Sequence, residues 1–341
     1  MRVLFYAALA RRELFETVEF YHQDILALRE LGHEVRLASH PREIMGAWDL
    51  AWVWWQTSGA PAVIASRVLG RPSVLVSALS HQDRTASGMP SKSPHARLAA
   101  VLALKSADLV LATSDDTRLG LARYRLQNLR TASLGVDTRT YAPGGPRQGS
   151  YVLTISHLTA DNVRRKRILD VVRAVAGIPE QHARIIGRHG DGVAVVQREI
   201  QRLGVAHRVE LSGEVSASVK RRFLREAAVY IQPTDYEAFG MAIAEAMASG
   251  TPVISHAVGN VPALVGDTGR LLPPGAGPEA LREALAALLT DPQLDRRGTL
   301  ARKRIEQKFS RAHRAEGVRA ALETVIAMRR KRGIVDRRAE E

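Results

Sequence analysis

The chain contains no cysteine. That excludes a disulfide framework, a thiolate-bound metal and a cysteine nucleophile. Aromatic residues are scarce, at 5% of 341, so the core must be built from Ala, Val, Leu and Ile. No window approaches the roughly 20 apolar residues of a membrane-crossing helix. The N-terminal MRVLFYAALARRE runs into Arg11, Arg12 and Glu13 without a convincing secretory cleavage site. The expectation is a soluble, cytoplasmic protein. Two phosphate-binding signatures are also missing. There is no G-x-x-x-x-G-K-S/T loop, and Gly187, Gly190 and Gly192 have the wrong spacing for G-x-G-x-x-G.

What is present is an ordinary globular composition, 45% hydrophobic and 25% charged, long enough for two domains. The formal charge is +14, a surface that attracts anions. Nucleic acid, anionic lipid and phosphorylated small molecules all fit that sign. So does plain arginine bias, because the excess is spread along the chain apart from RRKR at 164–167 and MRRKR at 328–332. No RNA-binding motif with interleaved aromatics accompanies it, and no nucleic-acid partner is expected.

Short apolar runs alternate with amphipathic stretches. Strands are predicted at 3–7, 35–39, 50–54, 73–78 and 109–113, with helices near 15–32 and 95–106. The punctuated segment PGGPRQGS at 143–150 then breaks the pattern. It restarts with strands at 151–155, 183–187, 208–213, 228–233 and 252–256. Helices are predicted between them near 166–177, 193–203, 216–226 and 240–249, and beyond them at 278–290 and 311–329. Strands separated by helices of this length indicate α/β domains with parallel, doubly wound sheets. The predicted organisation is a first domain over 1–145, a second over 146–310, a helix over 311–330 crossing back to the first, and a loose tail over 331–341. On such sheets ligands bind beyond the carboxyl ends of the strands.

The most informative stretch runs from Tyr230 to Gly275. A strand ends at Pro233, the loop TDYE follows, and Phe239-Gly240 opens a helix that closes at Gly250. Glu237 stands at the mouth of that helix, and Glu245 lies eight positions later, inside it. A helix N-terminus attracts phosphate, a glycine there lets a ligand approach the backbone, and carboxylates accept from hydroxyls. A molecule with phosphates in the middle and hydroxyls at both ends suits this arrangement, as a nucleotide sugar does. An ordinary strand–loop–helix with two surface acids is the plain alternative.

EAFGMAIAE (237–245), followed by AMASGTPVI, resembles the E-x7-E signature of family-4 retaining glycosyltransferases. Those enzymes have the GT-B fold of two Rossmann-like domains. Ordered matches continue through LRELGHEVRLAS (28–39), SLGVDTRTYAP (133–143) and VGNVPALVGDTGRLLPPG (258–275). The resemblance implies a transferase that moves a sugar from a nucleoside diphosphate donor, with uridine the favoured base, to a hydroxyl or amine acceptor. It implies retention of the anomeric configuration, with no metal and no cofactor; the absence of any D-x-D agrees with that. Glu237 would then hold donor-sugar hydroxyls and Glu245 the ribose. The backbone of Phe239, Gly240 and Met241 would lie beside sugar and phosphates. Lys166 with Arg165, in RRKRILDVVRA, would neutralise the leaving diphosphate, and Gly187 and Gly213 would end strands beside the nucleotide. His81, in SALSHQD, resembles the family's histidine near the donor sugar.

Three departures matter. The acceptor-side Gly-Gly is replaced by ALARRELFETVEFYH, where Glu16 or Thr17 takes the space. The family's phosphate-site arginine falls near His157, leaving Arg164, Arg165 or His157 to complete that site. Ala263 stands where a glutamate often follows the proline. All four tryptophans lie between Trp48 and Trp55; they read as core, the other reading being that Trp55 or Gln56, near the strand's end, lines an acceptor pocket. The acceptor class is open: a glycan, a lipid-linked sugar or a small natural product. Contact with a membrane surface is looked for in SKSPHARLAAVLALK (91–105). Other readings are a different GT-B activity such as an epimerase or an inverting transferase, a donor-binding sensor without activity, and a non-enzymatic protein binding anions, nucleic acid or membranes.

Overall fold

The computed structural model describes residues 1–79, 83, 88–144 and 151–331. The chain divides into two compact units, Met1–Gly135 together with the stretch from Arg311, and Val136–Ser310. The division falls at 135/136 rather than at 145/146. The reason is local: Val136 pairs with Ser310 as a parallel bridge, and its N–H donates to Phe309 O at 2.8 Å. Most of the expected 143–150 break, residues 145–150, lies outside the described residues.

The first unit runs β1 (Arg2–Tyr6), α1 (Leu14–Thr17), α2 (Glu19–Glu30), β2 (Glu34–Ala38), β3 (Leu50–Trp54), α3 (Ala60–Val68), β4 (Ser73–Ser77), α4 (Pro94–Ser106), β5 (Leu109–Ala112), α5 (Asp115–Leu121) and β6 (Leu129–Thr131). Its six strands are all parallel, in the order β2-β1-β3-β4-β5-β6. Every residue of β3 and β4 is buried, as a sheet covered on both faces requires. The single helix predicted over 15–32 is two helices, because Val18 takes an extended conformation between them. Gly32, with φ +80°, closes α2 in the left-handed cap that glycine adopts without strain.

The second unit runs β7 (Tyr151–Ile155), α6 (Ala160–Arg165), α7 (Ile168–Ala176), β8 (His182–Ile186), α8 (Val193–Arg202), β9 (Val209–Gly213), α9 (Ala217–Glu226), β10 (Val229–Gln232), α10 (Met241–Ala248), β11 (Val253–His256), α11 (Val261–Val265), β12 (Arg270–Leu272), α12 (Pro278–Leu289) and α13 (Leu294–Lys308). Its strands are again all parallel, in the order β12-β11-β10-β7-β8-β9. From β7 the chain steps outward to β9, then returns to β10 on the other side. The crevice between the carboxyl ends of β7 and β10 is therefore where a ligand is expected on topological grounds alone. Beneath it lies an aliphatic core that includes Val152, Val171, Val175, Ile185, Ile231 and Leu285.

The last helix, α14 (Arg311–Lys331), belongs to the first unit. Arg314 of α14 is fully buried and grips Asp24 of α2, donating to Oδ1 at 2.6 Å and Oδ2 at 2.8 Å. Asp24 Oδ2 also accepts from the indoles of Trp52 and Trp54, at 3.0 and 3.1 Å. Both tryptophans are thus core residues, on one face of β3 as their alternation predicts.

Candidate active site

Lys166 and its neighbours do not begin a helix, as the predicted 166–177 helix would have it. They end one. Lys166 caps α6, Arg167 turns left-handed at φ +49°, and α7 starts at Ile168. A left-handed non-glycine residue costs roughly 1–2 kcal/mol. The ion pairs of Arg167 with Asp170 at 2.6 Å and Asp235 at 3.6 Å oppose that cost. The turn brings Lys166 back over the end of β7, where its Nζ donates to Ile155 O at 3.3 Å.

The loop after β10 comes to meet it. Asp235 N donates to Arg165 O at 2.8 Å, and Arg165 Nη1 donates to Tyr236 O at 3.2 Å. The result is a compact charge cluster at the switch point. Glu237 Oε1 lies 3.6 Å from Arg165 Nη1 and 3.9 Å from Lys166 Nζ, and all three side chains are 15% exposed. Behind Glu237 stands an uncharged chain of donors. Tyr230 OH donates to Gln232 Oε1 at 2.6 Å, and Gln232 Nε2 donates to Glu237 Oε1 at 2.6 Å. The backbone of Glu237 is fixed from the other side by Asn260 N, which donates to its carbonyl at 2.9 Å.

Burial pushes the Lys166 ammonium below the usual lysine range; Glu237 pulls it back up, and Arg165 lowers it further. Burial, then the nearby Arg188, holds His157 below its ordinary value. His157 Nδ1 accepts from Arg188 N at 3.1 Å. His157 is therefore a mostly neutral imidazole where the family pattern has an arginine. Burial also keeps the Tyr230 phenol protonated, which makes it a donor to Gln232.

Two strand-end glycines complete the ledge beside β7. Gly187 has φ +138°, and a β-carbon there would sit 2.2 Å from Ser156 O. Its N–H donates to the carbonyl of Gly213, itself at φ +68°. Across the crevice Gly240, at φ +96°, caps α10. The first helical bond runs from Ala244 N to Gly240 O, so the N–H groups of Met241, Ala242 and Ile243 precede the ladder. Phe239 is buried with its ring edge-on to Phe309; what it offers the crevice is backbone.

Glu245 is placed differently from Glu237. It is buried inside α10, with Oε1 accepting from Tyr141 OH at 3.1 Å and Oε2 paired with Lys220 Nζ at 2.6 Å. A hydroxyl reaches Oε2 only when Lys220 gives way. Lys220, Tyr141, Gln232 and Tyr230 were all missed by reasoning from the sequence. Arg164 is not part of the cluster: its guanidinium pairs with Asp161 at 3.1 Å and its side chain is 73% exposed. Among the three residues left open for the phosphate site, Arg165 is the cation that stands at Glu237.

In the first unit, Trp55 follows β3 at the point where that sheet's order reverses. Its backbone is left-handed at φ +68°. Its indole donates to Tyr21 OH at 2.6 Å and packs against Phe20 and Trp54. Glu16 and Thr17 are exposed, with the Thr17 hydroxyl turned back to Glu13 O. His81 lies outside the described residues.

Residues 149–291 match the protein family described as Glycosyl transferases group 1. The chain is 30% identical over 208 residues to an MMP alpha-(1->4)-mannosyltransferase of Mycolicibacterium hassiacum, covering 59% of this chain and 49% of that protein. It is 35% identical over 153 residues to a D-inositol 3-phosphate glycosyltransferase of Streptomyces coelicolor, covering 41% and 33%. The chain thus spans a third to a half of these curated relatives. Among solved structures, a sucrose-phosphate synthase from Thermosynechococcus elongatus superposes with a TM-score of 0.80 at 19% identity, over 96% of this chain and 99% of that one. Anabaena Alr3699/HepE in complex with UDP and glucose superposes with a TM-score of 0.77 at 20% identity, over 95% and 100%. Two six-stranded parallel sheets with flanking helices, matched end to end in this way, are the GT-B fold.

Proposed function

We propose, from the premise that this chain carries a glycosyl transferases group 1 domain on a GT-B fold, that it transfers a sugar from a nucleoside diphosphate donor with retention of configuration. The observation that carries this reading is the meeting of Glu237 with Arg165 and Lys166 at the switch point of the second sheet. Breaking an anomeric bond throws negative charge onto the leaving diphosphate, and fixed cations stabilise charge that develops in the transition state. Arg165 and Lys166 supply that charge from side chains, so the reading needs no metal. Glu237 takes hydroxyls of the donor sugar. Glu245 takes the ribose after Lys220 has moved aside. Uridine is the favoured base, and the complex of Anabaena Alr3699/HepE with UDP and glucose on the same fold supports that choice.

The acceptor is a hydroxyl or amine carried by a glycan, a lipid-linked sugar or a small molecule. The test is transfer or donor hydrolysis with a panel of nucleoside diphosphate sugars, in EDTA, with the product anomer resolved by NMR. Lys166→Ala is expected to lower kcat by roughly 100- to 1000-fold, the usual cost of removing one charge-stabilising group, and Glu237→Ala to lower transfer severely through loss of the acceptor for the sugar hydroxyls. Full activity in either folded variant sinks the site. An inverted anomer leaves the transferase and removes retention. An epimerised donor with no transfer replaces the reading by the other GT-B chemistry.

One observation favours an added membrane contact in the first unit. On α4, Leu98 and Leu102 are one turn apart and 60% and 47% exposed, with Lys92 and Arg97 at one end and Lys105 at the other. Adjacent α3 exposes Ile64 and Val68. Apolar side chains ringed by cations suit an anionic lipid surface. Flotation with phosphatidylglycerol vesicles but not with phosphatidylcholine vesicles is the expected result, lost in Leu98→Glu/Leu102→Glu; equal recovery with both lipids removes the contact.

A further inference from the structure

Glu237 is the acid on which the donor reading turns, yet nothing in its motif says how its carboxylate is aimed. A carboxylate at a loop rotates freely unless something fixes one oxygen. Here Oε1 is fixed and Oε2 is left over. Oε1 accepts from Gln232 Nε2 at 2.6 Å and faces both Arg165 and Lys166. No group among the described residues donates to Oε2, and that oxygen is not among the buried atoms lacking a partner. It is the acceptor the crevice presents.

The orientation of Gln232 is itself determined. Its amide has one accepting end and one donating end. Tyr230 OH lies 2.6 Å from Gln232 Oε1. Glu237 is a carboxylate and only accepts, so the end of the amide 2.6 Å from its Oε1 is the NH2. That leaves Gln232 Oε1 to accept from Tyr230 OH, a phenol that burial keeps protonated. Both side chains are buried on β10, Tyr230 completely. Ser255 Oγ, on the neighbouring β11, donates to Gln232 O at 2.6 Å and holds the strand. The chain of donors thus runs from a rigid core strand to the loop acid.

We propose that Tyr230 and Gln232 are positioning residues that lock Glu237 with Oε2 toward the donor sugar, so that recognition of the sugar, but not of the nucleotide, depends on them. This rests on the donor reading above. It predicts a split that a merely structural role does not produce. The quantity to read is the sugar increment, the ratio of Kd for the nucleoside diphosphate to Kd for its sugar conjugate.

The experiment uses calorimetry on the full chain with UDP against UDP-glucose, and with the ADP and GDP pairs, for the wild type, Gln232→Met, Tyr230→Phe and Gln232→Glu. Thermal melting checks that each variant is folded, and two variants at different positions keep the ratio readable if one is lost. Gln232→Met is expected to lower the increment about tenfold, the loss of one bond to a charged group, with Kd for the nucleoside diphosphate within about twofold of wild type. Tyr230→Phe, which takes the donor away from the carbonyl end of the amide and loosens it, is expected to lower it by a smaller factor. Gln232→Glu sets two carboxylates together; the shared proton returns the increment at acid pH and its loss removes it at neutral pH.

An unchanged increment in both folded variants overturns the proposal and leaves the donor reading standing. Parallel loss of affinity for nucleotide and conjugate overturns it as well, because the role is then structural. A wild type that binds none of the three pairs removes the donor reading, and the proposal falls with it.

Discussion

At the residue scale, the cluster is an argument about charge held at a fixed place. Lys166 is the residue on which pH acts. Burial lowers the pKa of its ammonium, with Glu237 opposing and Arg165 adding to the effect. On the proposed donor reading, the protonated form is the one that would stabilise the leaving diphosphate. Activity is therefore expected to fall, as pH rises, at a lower pH than an ordinary lysine near 10.4 would give. Lys166→Arg is expected to move that alkaline limb upward, because guanidinium stays charged. A pH–kcat profile for the two proteins checks it; identical alkaline limbs would show that Lys166 is not the titrating group.

Some of this was legible from the sequence. Glu237, Glu245 and Lys166 stand in a recognisable pattern, and the structure places Lys166 and Glu237 side by side. The choice among Arg164, Arg165 and His157 was open, although consecutive helical residues such as the two arginines point about 100° apart and only one of them can face the acid. Choosing among them needed the end of α6, and nothing in RRKRILDVV marks a break at Arg167. Lys220 was hidden in a run of cations on α9, and Tyr141 lies 104 positions from the glutamate it caps. Such partners are made by the fold and leave no local trace.

At the element scale, β3, β4, β5 and β10 were readable because their apolar runs are buried throughout. β3 and β7 fall at their predicted limits, Leu50–Trp54 and Tyr151–Ile155. Short edge strands such as β6 and β12, with three residues each, carry too little pattern to detect. α13 escaped for a different reason. Its LDRRGTLARKRIEQK is strongly polar, with only Gly298, Ala301 and Ile305 buried, so it shows almost no apolar stripe.

The glycine ledge is the element most sensitive to a single atom. Gly187→Ala puts a β-carbon 2.2 Å from Ser156 O in a backbone with φ +138°. Neither the strand end nor the loop leading to α6 can yield without moving the other. We expect a loss of more than about 2 kcal/mol of stability, in the tail of single substitutions. Nucleotide affinity is expected to fall further than stability, because the loop leads to Lys166. Urea unfolding and a nucleotide titration check both; a variant as stable as wild type contradicts the packing described.

At the scale of the whole molecule, two sheets with different strand orders each have their own switch point. That of the second unit carries the acids and cations. That of the first carries Trp55, braced by Tyr21 and Phe20, which suits a flat or apolar body rather than a phosphate. The net charge of +14 is spread more widely than this site needs. A separate hollow, of about 430 Å³, lies at the amino ends of β7, β8 and β9, lined by residues that include Arg184, Arg208 and Glu210, the last paired with Arg184 at 3.2 Å. Charge alone does not distinguish the two ends of the sheet, whereas topology and the paired acids do.

Crystals of the chain soaked with UDP test that distinction most directly. The diphosphate is expected within hydrogen-bonding reach of Arg165 and Lys166, on the ledge formed by Gly187. Density for the nucleotide over Arg184 and Arg208 instead, with the Glu237 crevice empty, would contradict it.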